Sequence, residues 1–105
     1  MKHLEIGEDF VIKKIAHRQM AGGAWVVGSI HGHRFEALVF PGHAENSSYE
    51  IGDSRISKLW VIREKDREPV FNWDRGLDIQ ARTDVAKEIV SFLCSRVAEA
   101  TYPAK

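Results

Sequence analysis

The spacing of apolar residues changes along the chain, from alternation with polar residues in most of it to a helical repeat near the C-terminus. Alternation with a period of two is typical of half-buried β-strands. The clearest pair of alternating runs covers residues 24–30 and 34–40, which are separated by His31-Gly32-His33. Gly32 readily adopts the positive φ of a tight turn, so these two runs predict a β-hairpin.

The predicted hairpin has two different faces. The turn is either His31-Gly32 or Gly32-His33, and the choice shifts the register by two residues, which leaves every side chain on its own face. One face is entirely apolar or small and consists of Ala24, Val26, Gly28, Ile30, Phe35, Ala37 and Val39. The opposite face mixes aromatic, aliphatic and charged side chains, namely Trp25, Arg34, Glu36 and Leu38.

Three further runs predict strands, one before the hairpin and two after it. They cover residues 10–17, 55–63 and 70–73. Lys13-Lys14 in the first run is typical of an edge strand, because lysine discourages further pairing. The polar segment 41–54 connects the hairpin to the next strand, and loops of this length in compact domains are often functional. Asp74-Arg75-Gly76 is predicted to end the last strand.

Residues 84–98 predict one helix. The apolar positions that repeat at helical spacing are Ala86, Ile89, Val90, Leu93 and Val97. Thr83 suits the N-cap and Pro103 ends the helix. The small residues of the apolar hairpin face leave room for this helix, and packing the two together buries both apolar surfaces. We therefore predict an α+β fold, an antiparallel meander of four to five strands with one C-terminal helix packed on one face.

Composition restricts the class of protein. A chain of 105 residues suits a single domain, residues 1–105, and its formal net charge of zero provides no global field to hold a polyanion. The one cysteine, Cys94, excludes an internal disulfide and suits a reducing compartment. We find no signal peptide, and apolar runs such as 59–62 are too short to span a bilayer. We therefore expect a cytoplasmic protein without membrane contact.

The polar motifs predict no catalytic residues, no metal and no cofactor. A polar turn explains the histidines that flank Gly32, and local backbone hydrogen bonds explain the segment 74–78. The alternative of a small enzyme stays open, with its chemistry where segment 41–54, Lys58 and the 74–78 turn meet. The acids, bases and cations that this alternative gathers are His43, Tyr49, Lys58, Asp74 and Arg75.

The tryptophans are the best functional lead. By parity, Trp25 and Trp60 point away from the helix, either into a second small core or onto an exposed surface for a protein partner or a homodimer. We expect a non-enzymatic module that acts by protein–protein contact, with the loop 41–54 at the rim. The predicted binding residues are Trp25, Arg34, Leu38 and Trp60.

A nucleic-acid-binding domain is a further alternative for the same face. Its tryptophans would stack on bases while basic side chains meet phosphates. The basic residues in question are Arg34, Arg55, Lys58 and Arg63. The neutral overall charge counts against this alternative.

The chain also resembles a family of small uncharacterised domains from bacteria and their phages. The clearest segments are Arg55-Ile56-Ser57-Lys58-Leu59 and Asn72-Trp73-Asp74-Arg75-Gly76-Leu77-Asp78, within a resemblance that covers residues 24–98. Glu50 and Leu77 stand where the family usually has Gly and Trp, which we expect to relax the loop turn and remove an aromatic. The resemblance implies no activity, but it implies a phage or mobile-element setting in which the protein regulates or blocks a host factor.

Overall fold

The computed structural model describes residues 6–46, 50–52, 54–74 and 76–103. Within them, a six-stranded antiparallel sheet follows chain order and carries one α-helix. The elements are β1 (Val11–His17), β2 (Ala24–Ile30), β3 (His33–Val39), β4 (Ile56–Arg63), β5 (Glu68–Asp74), β6 (Leu77–Ile79) and α1 (Asp84–Thr101).

The predicted α+β class and the antiparallel sheet with one C-terminal helix are confirmed, but the predicted number of four to five strands is wrong. The missed strand is β6, which pairs Ile79 with Asn72 and Leu77 with Trp73 of β5. At three residues it is too short to show an alternating pattern. β5 also begins earlier than residue 70, because Pro69 lies beside a register shift, where a missing backbone N–H is tolerated.

The hairpin between β2 and β3 turns at His31 and Gly32. Both residues have positive φ, 49° and 70°, which is the conformation of a type I′ turn. Ile30 consequently pairs with His33 across the turn. The first of the two predicted turns is therefore the observed one, and both predicted faces are kept.

The helix α1 begins where predicted and ends three residues later than predicted. Thr83 is the N-cap, since its side-chain oxygen accepts a hydrogen bond of 3.0 Å from the backbone N–H of Ala86. At the other end, the Thr101 hydroxyl donates to the carbonyl of Val97 at 2.8 Å and keeps the last turn helical. Pro103 follows directly after the C-cap. Among the described residues, no helix is long and apolar enough to cross a membrane.

The core lies between α1 and the predicted apolar face of the hairpin, extended by β4 and β5. Its largest fully buried side chains are Val26, Ile30, Phe35, Val39, Ile56, Leu59, Val61, Ile89, Leu93 and Val97. Burial of each large apolar side chain is worth roughly 1.5–3 kcal/mol before conformational entropy is counted. Packing on this one side fixes which side of the sheet remains open.

We expected the small residues of the apolar face to leave room for the helix. At Gly28, the space is instead taken by a neighbouring strand and an aromatic ring. A Cβ atom at Gly28 would meet the carbonyl oxygen of Val11 on β1 and lie 2.8 Å from ring carbons of Phe35. Phe35 pairs with Gly28 across the hairpin. The glycine therefore leaves room for the Phe35 ring across the hairpin, as glycine opposite an aromatic residue often does.

Candidate functional site

The side of the sheet opposite α1 carries the predicted contact residues, and we call it the open face. No helix of the described part of the chain packs on it. Two rows of cross-strand neighbours form its centre. The first row is Trp25, Leu38, Lys58 and Asp74, and the second is Val27, Glu36, Trp60 and Asn72.

Trp25 and Trp60 lie on the open face, as parity predicts. Trp25 is 36% exposed and Trp60 is 41% exposed, so neither is buried in a second small core. A hollow of about 210 Å³ separates the two rings. Its walls also include Glu36, Lys58 and Asp74, so polar groups surround an aromatic centre.

The other two predicted contact residues differ in accessibility. Arg34 is exposed, and its guanidinium lies 3.3 Å from the carboxylate of Glu36. Leu38 lies on the open face but is only 3% exposed. Leu38 therefore supports the face from below, while Trp25, Trp60 and Arg34 present surface to solvent. Trp73 pairs with Leu59 and packs against the core, but it also lines the hollow beside Trp25 and Trp60.

Beside the open face, Glu50 organises the described part of the loop that connects β3 to β4. Its carboxylate accepts hydrogen bonds from the backbone N–H of Ala44 at 2.8 Å and of Arg55 at 2.6 Å. The Nδ1 atom of His43 lies 3.2 Å from the same carboxylate. Burial would raise the pKa of Glu50, but these hydrogen bonds outweigh it and hold the pKa below the usual value.

Sequence reasoning missed this role of Glu50. We expected a glutamate at this position to relax the loop turn, and instead it joins both ends of the loop. Glu50 is one of three acidic residues in the segment 41–54 and follows no periodic pattern, so nothing in the sequence marks it as a buried acceptor. Ser47, Ser48, Tyr49 and Asp53 of the predicted loop lie outside the described residues.

The described part of the loop and the sheet enclose a groove of about 580 Å³ that we call the cationic groove. Its basic lining residues are Arg18, His43, Arg55 and Lys58, and its apolar lining residues are Leu38, Phe40, Pro41 and Ala44. Arg18 donates to the carbonyl of Gly22 at 2.7 Å and lies over the Phe40 ring at 5.7 Å. Arg55 donates from Nη1 to the carbonyl of Pro41 at 2.9 Å.

The residues of the enzyme alternative come together only in part. His43 and Lys58 line the same groove, and Lys58 Nζ lies 3.6 Å from Asp74 Oδ1. Tyr49 and Arg75 lie outside the described residues. The carboxylate beside His43 is that of Glu50, and it already accepts hydrogen bonds from the loop backbone.

The remaining candidates have structural surroundings. His33 Nδ1 lies 2.7 Å from the carbonyl oxygen of His31, within the hairpin turn. In the described ranges, no three side chains of His, Cys, Asp or Glu converge as metal ligands. Burial raises the pKa of the Cys94 thiol to about 11, so Cys94 is not a thiolate nucleophile at neutral pH.

These features define a small α+β domain whose antiparallel sheet packs a helix on one side and exposes two tryptophans on the other. The chain belongs to a family described as Domain of unknown function (DUF7678), whose model matches residues 24–98. The match confirms the predicted membership of a family of uncharacterised domains over residues 24–98. No curated protein and no solved structure gives a significant match to the chain. The phage or mobile-element setting stays a prediction.

Proposed function

We propose that this domain is a non-enzymatic binding module that acts by protein–protein contact through its open face. The observation that carries the proposal is the pair of exposed tryptophans on a sheet face that no described helix covers. Tryptophan and arginine dominate the energetics of protein interfaces. Interfaces also combine an aromatic centre with a polar rim, and the surroundings of Trp25 and Trp60 have this arrangement.

The chemistry of the open face indicates what the partner offers. The hollow between the tryptophans, about 210 Å³, has room for one protruding apolar side chain. Arg34 and Glu36 on one side and Lys58 and Asp74 on the other provide charges of both signs. The partner is therefore a folded protein surface with one apolar protrusion between charged residues of both signs. In the setting that the resemblance implies, this protein would be a host factor.

Nucleic acid fits the same face less well. Three of the four basic residues that would meet phosphates have carboxylate partners. These pairs are Arg34–Glu36, Lys58–Asp74 and Arg63–Asp66. The three carboxylates would repel a phosphate backbone that crosses the face, which weakens the binding of a polyanion.

Site-specific photo-crosslinking in the native cells tests the proposal. A photoreactive phenylalanine analogue replaces Trp60 in one variant and Val85 in the other. Val85 is the matched control because it is 41% exposed on α1, on the opposite side of the domain. We expect one protein adduct from position 60 that is absent from position 85.

Equal adducts from both positions, or none from position 60, would contradict the open face as the contact surface. An adduct with a second copy of the chain would show that the open face forms a homodimer. That result would contradict the proposal of a different protein as the partner.

A further inference from the structure

We propose that the cationic groove binds a small organic anion, which carries a carboxylate or phosphate group on an apolar body. The groove is distinct from the hollow between the tryptophans, although Lys58 lines both. The inference does not depend on the proposed protein contact. Its support comes from the size, the walls and the charge of the groove.

The size and the walls of the groove suit a small amphipathic molecule. Its volume of about 580 Å³ lies within the range of ligand pockets, roughly 300–1,000 Å³. Leu38, Phe40 and Pro41 form an apolar wall for the body of the ligand. Arg18 and Arg55 each use one N–H donor on a backbone carbonyl, and a guanidinium has five such donors. Both side chains can therefore bind an anion without losing these contacts.

A β-bulge places two consecutive polar residues in the groove. In a regular strand, Ser57 and Lys58 would point to opposite sides of the sheet. Here Leu38 pairs with Lys58 while Val39 pairs with Ile56, so Ser57 is an extra residue in β4. Both Ser57 and Lys58 consequently line the groove. Bulges often redirect side chains in this way beside functional sites.

The charge of the groove is positive although the whole chain is neutral. Arg18, Arg55 and Lys58 face one carboxylate in the lining, that of Glu50. The Glu50 carboxylate already accepts hydrogen bonds from the backbone N–H groups of Ala44 and Arg55. At the rim, the ion pair of Lys58 with Asp74 is exposed, and exposed pairs are weak enough for a ligand to compete.

Titration of the full chain followed by 1H–15N NMR tests this inference. The probes are phenyl phosphate, phenylacetate, inorganic phosphate and the neutral 2-phenylethanol. We expect saturable shifts from one or both phenyl anions, confined to the amides of Arg18, Glu50 and the segments 38–44 and 55–58. Whichever of the two binds more tightly identifies the anionic group.

Three variants provide the controls. Arg18→Gln and Lys58→Met each remove one cation from the groove, and each should weaken binding by about fivefold or more, the loss of one charge-assisted contact. Lys87→Met removes an exposed cation of α1 and should change the affinity by less than about twofold. Arg18→Gln also separates the two proposals, because Arg18 is not part of the hollow between the tryptophans.

Several results would overturn the inference. One is that Lys87→Met weakens the binding of the phenyl anions as much as the groove variants do. Another is equal binding of 2-phenylethanol, which would remove the role of the cations. Equal binding of inorganic phosphate would remove the role of the apolar wall. Shifts spread over the whole surface, or no saturable shift with any probe, would show that the groove is not a binding site.

Discussion

The backbone N–H of Arg55 donates a hydrogen bond of 2.6 Å to the carboxylate of Glu50. Arg55 has a φ of 63°, which is unusual for a residue with a side chain, and it directly precedes β4. The same carboxylate binds the backbone of Ala44, close to the end of β3. Glu50 thus connects the two ends of the loop, and the described residues 41–44 and 50 of the loop line one side of the cationic groove.

Replacing Glu50 with Gln should therefore destabilise the domain by about 1–3 kcal/mol at neutral pH, the cost of weakening hydrogen bonds to a buried charged acceptor. Glu45→Gln is the matched control, since Glu45 lies in the same loop and is exposed. It should change the free energy of unfolding by less than about 0.5 kcal/mol. Urea denaturation followed by circular dichroism measures both. Equal stability of the two variants would mean that Glu50 does not anchor the loop.

The stability contributed by Glu50 should also depend on pH. Because the folded-state pKa of Glu50 lies below its usual value of 4.5, this contribution is present above pH 4.5 and is lost as the pH falls through the folded-state pKa. The stability difference between the wild type and Glu50→Gln should therefore shrink in acid. Unfolding titrations between neutral and acidic pH measure this difference. A difference that stays constant or grows in acid would contradict the assignment.

Leu93→Asp should unfold the domain. Leu93 is fully buried between α1 and the sheet, where a carboxylate would have neither water nor a charged partner. Val85→Asp provides the control, because Val85 is 41% exposed in the first turn of the same helix. That variant should melt near the wild-type temperature. A folded Leu93→Asp variant with unchanged thermal melting would contradict the packing of α1 on this face.

Gly28→Ala should destabilise the domain by roughly 1–3 kcal/mol, as overpacking of a core usually does. The added Cβ would meet the carbonyl oxygen of Val11 and the ring of Phe35. Gly42→Ala is the matched control, since no atom lies within 4 Å of the Cβ position there. Thermal denaturation should separate the two variants. If both melt alike, Gly28 does not provide the space for the Phe35 ring.

Local periodicity explains why part of the structure could be predicted. The sides of Trp25 and Trp60 follow from the alternation in β2 and in residues 58–61 of β4, once the apolar stripe of α1 identifies the covered side of the sheet. The cationic groove could not be predicted in the same way. It depends on an extra residue, Ser57, and on hydrogen bonds of Glu50, and neither leaves a periodic pattern. The short strand β6 was missed for the same reason.

The affinity for the partner identified by crosslinking tests the central claim most directly. Purified chain and purified partner are titrated by calorimetry, with Trp25→Ala and Trp60→Ala compared with Val85→Ala, and circular dichroism verifies that each variant is folded. Truncation of an interface hot spot costs about 2 kcal/mol or more, so each tryptophan variant should bind at least about tenfold more weakly. Val85→Ala should bind like the wild type. Affinities of both tryptophan variants within about twofold of the wild type, far below a hot-spot effect, would contradict the open face as the binding surface.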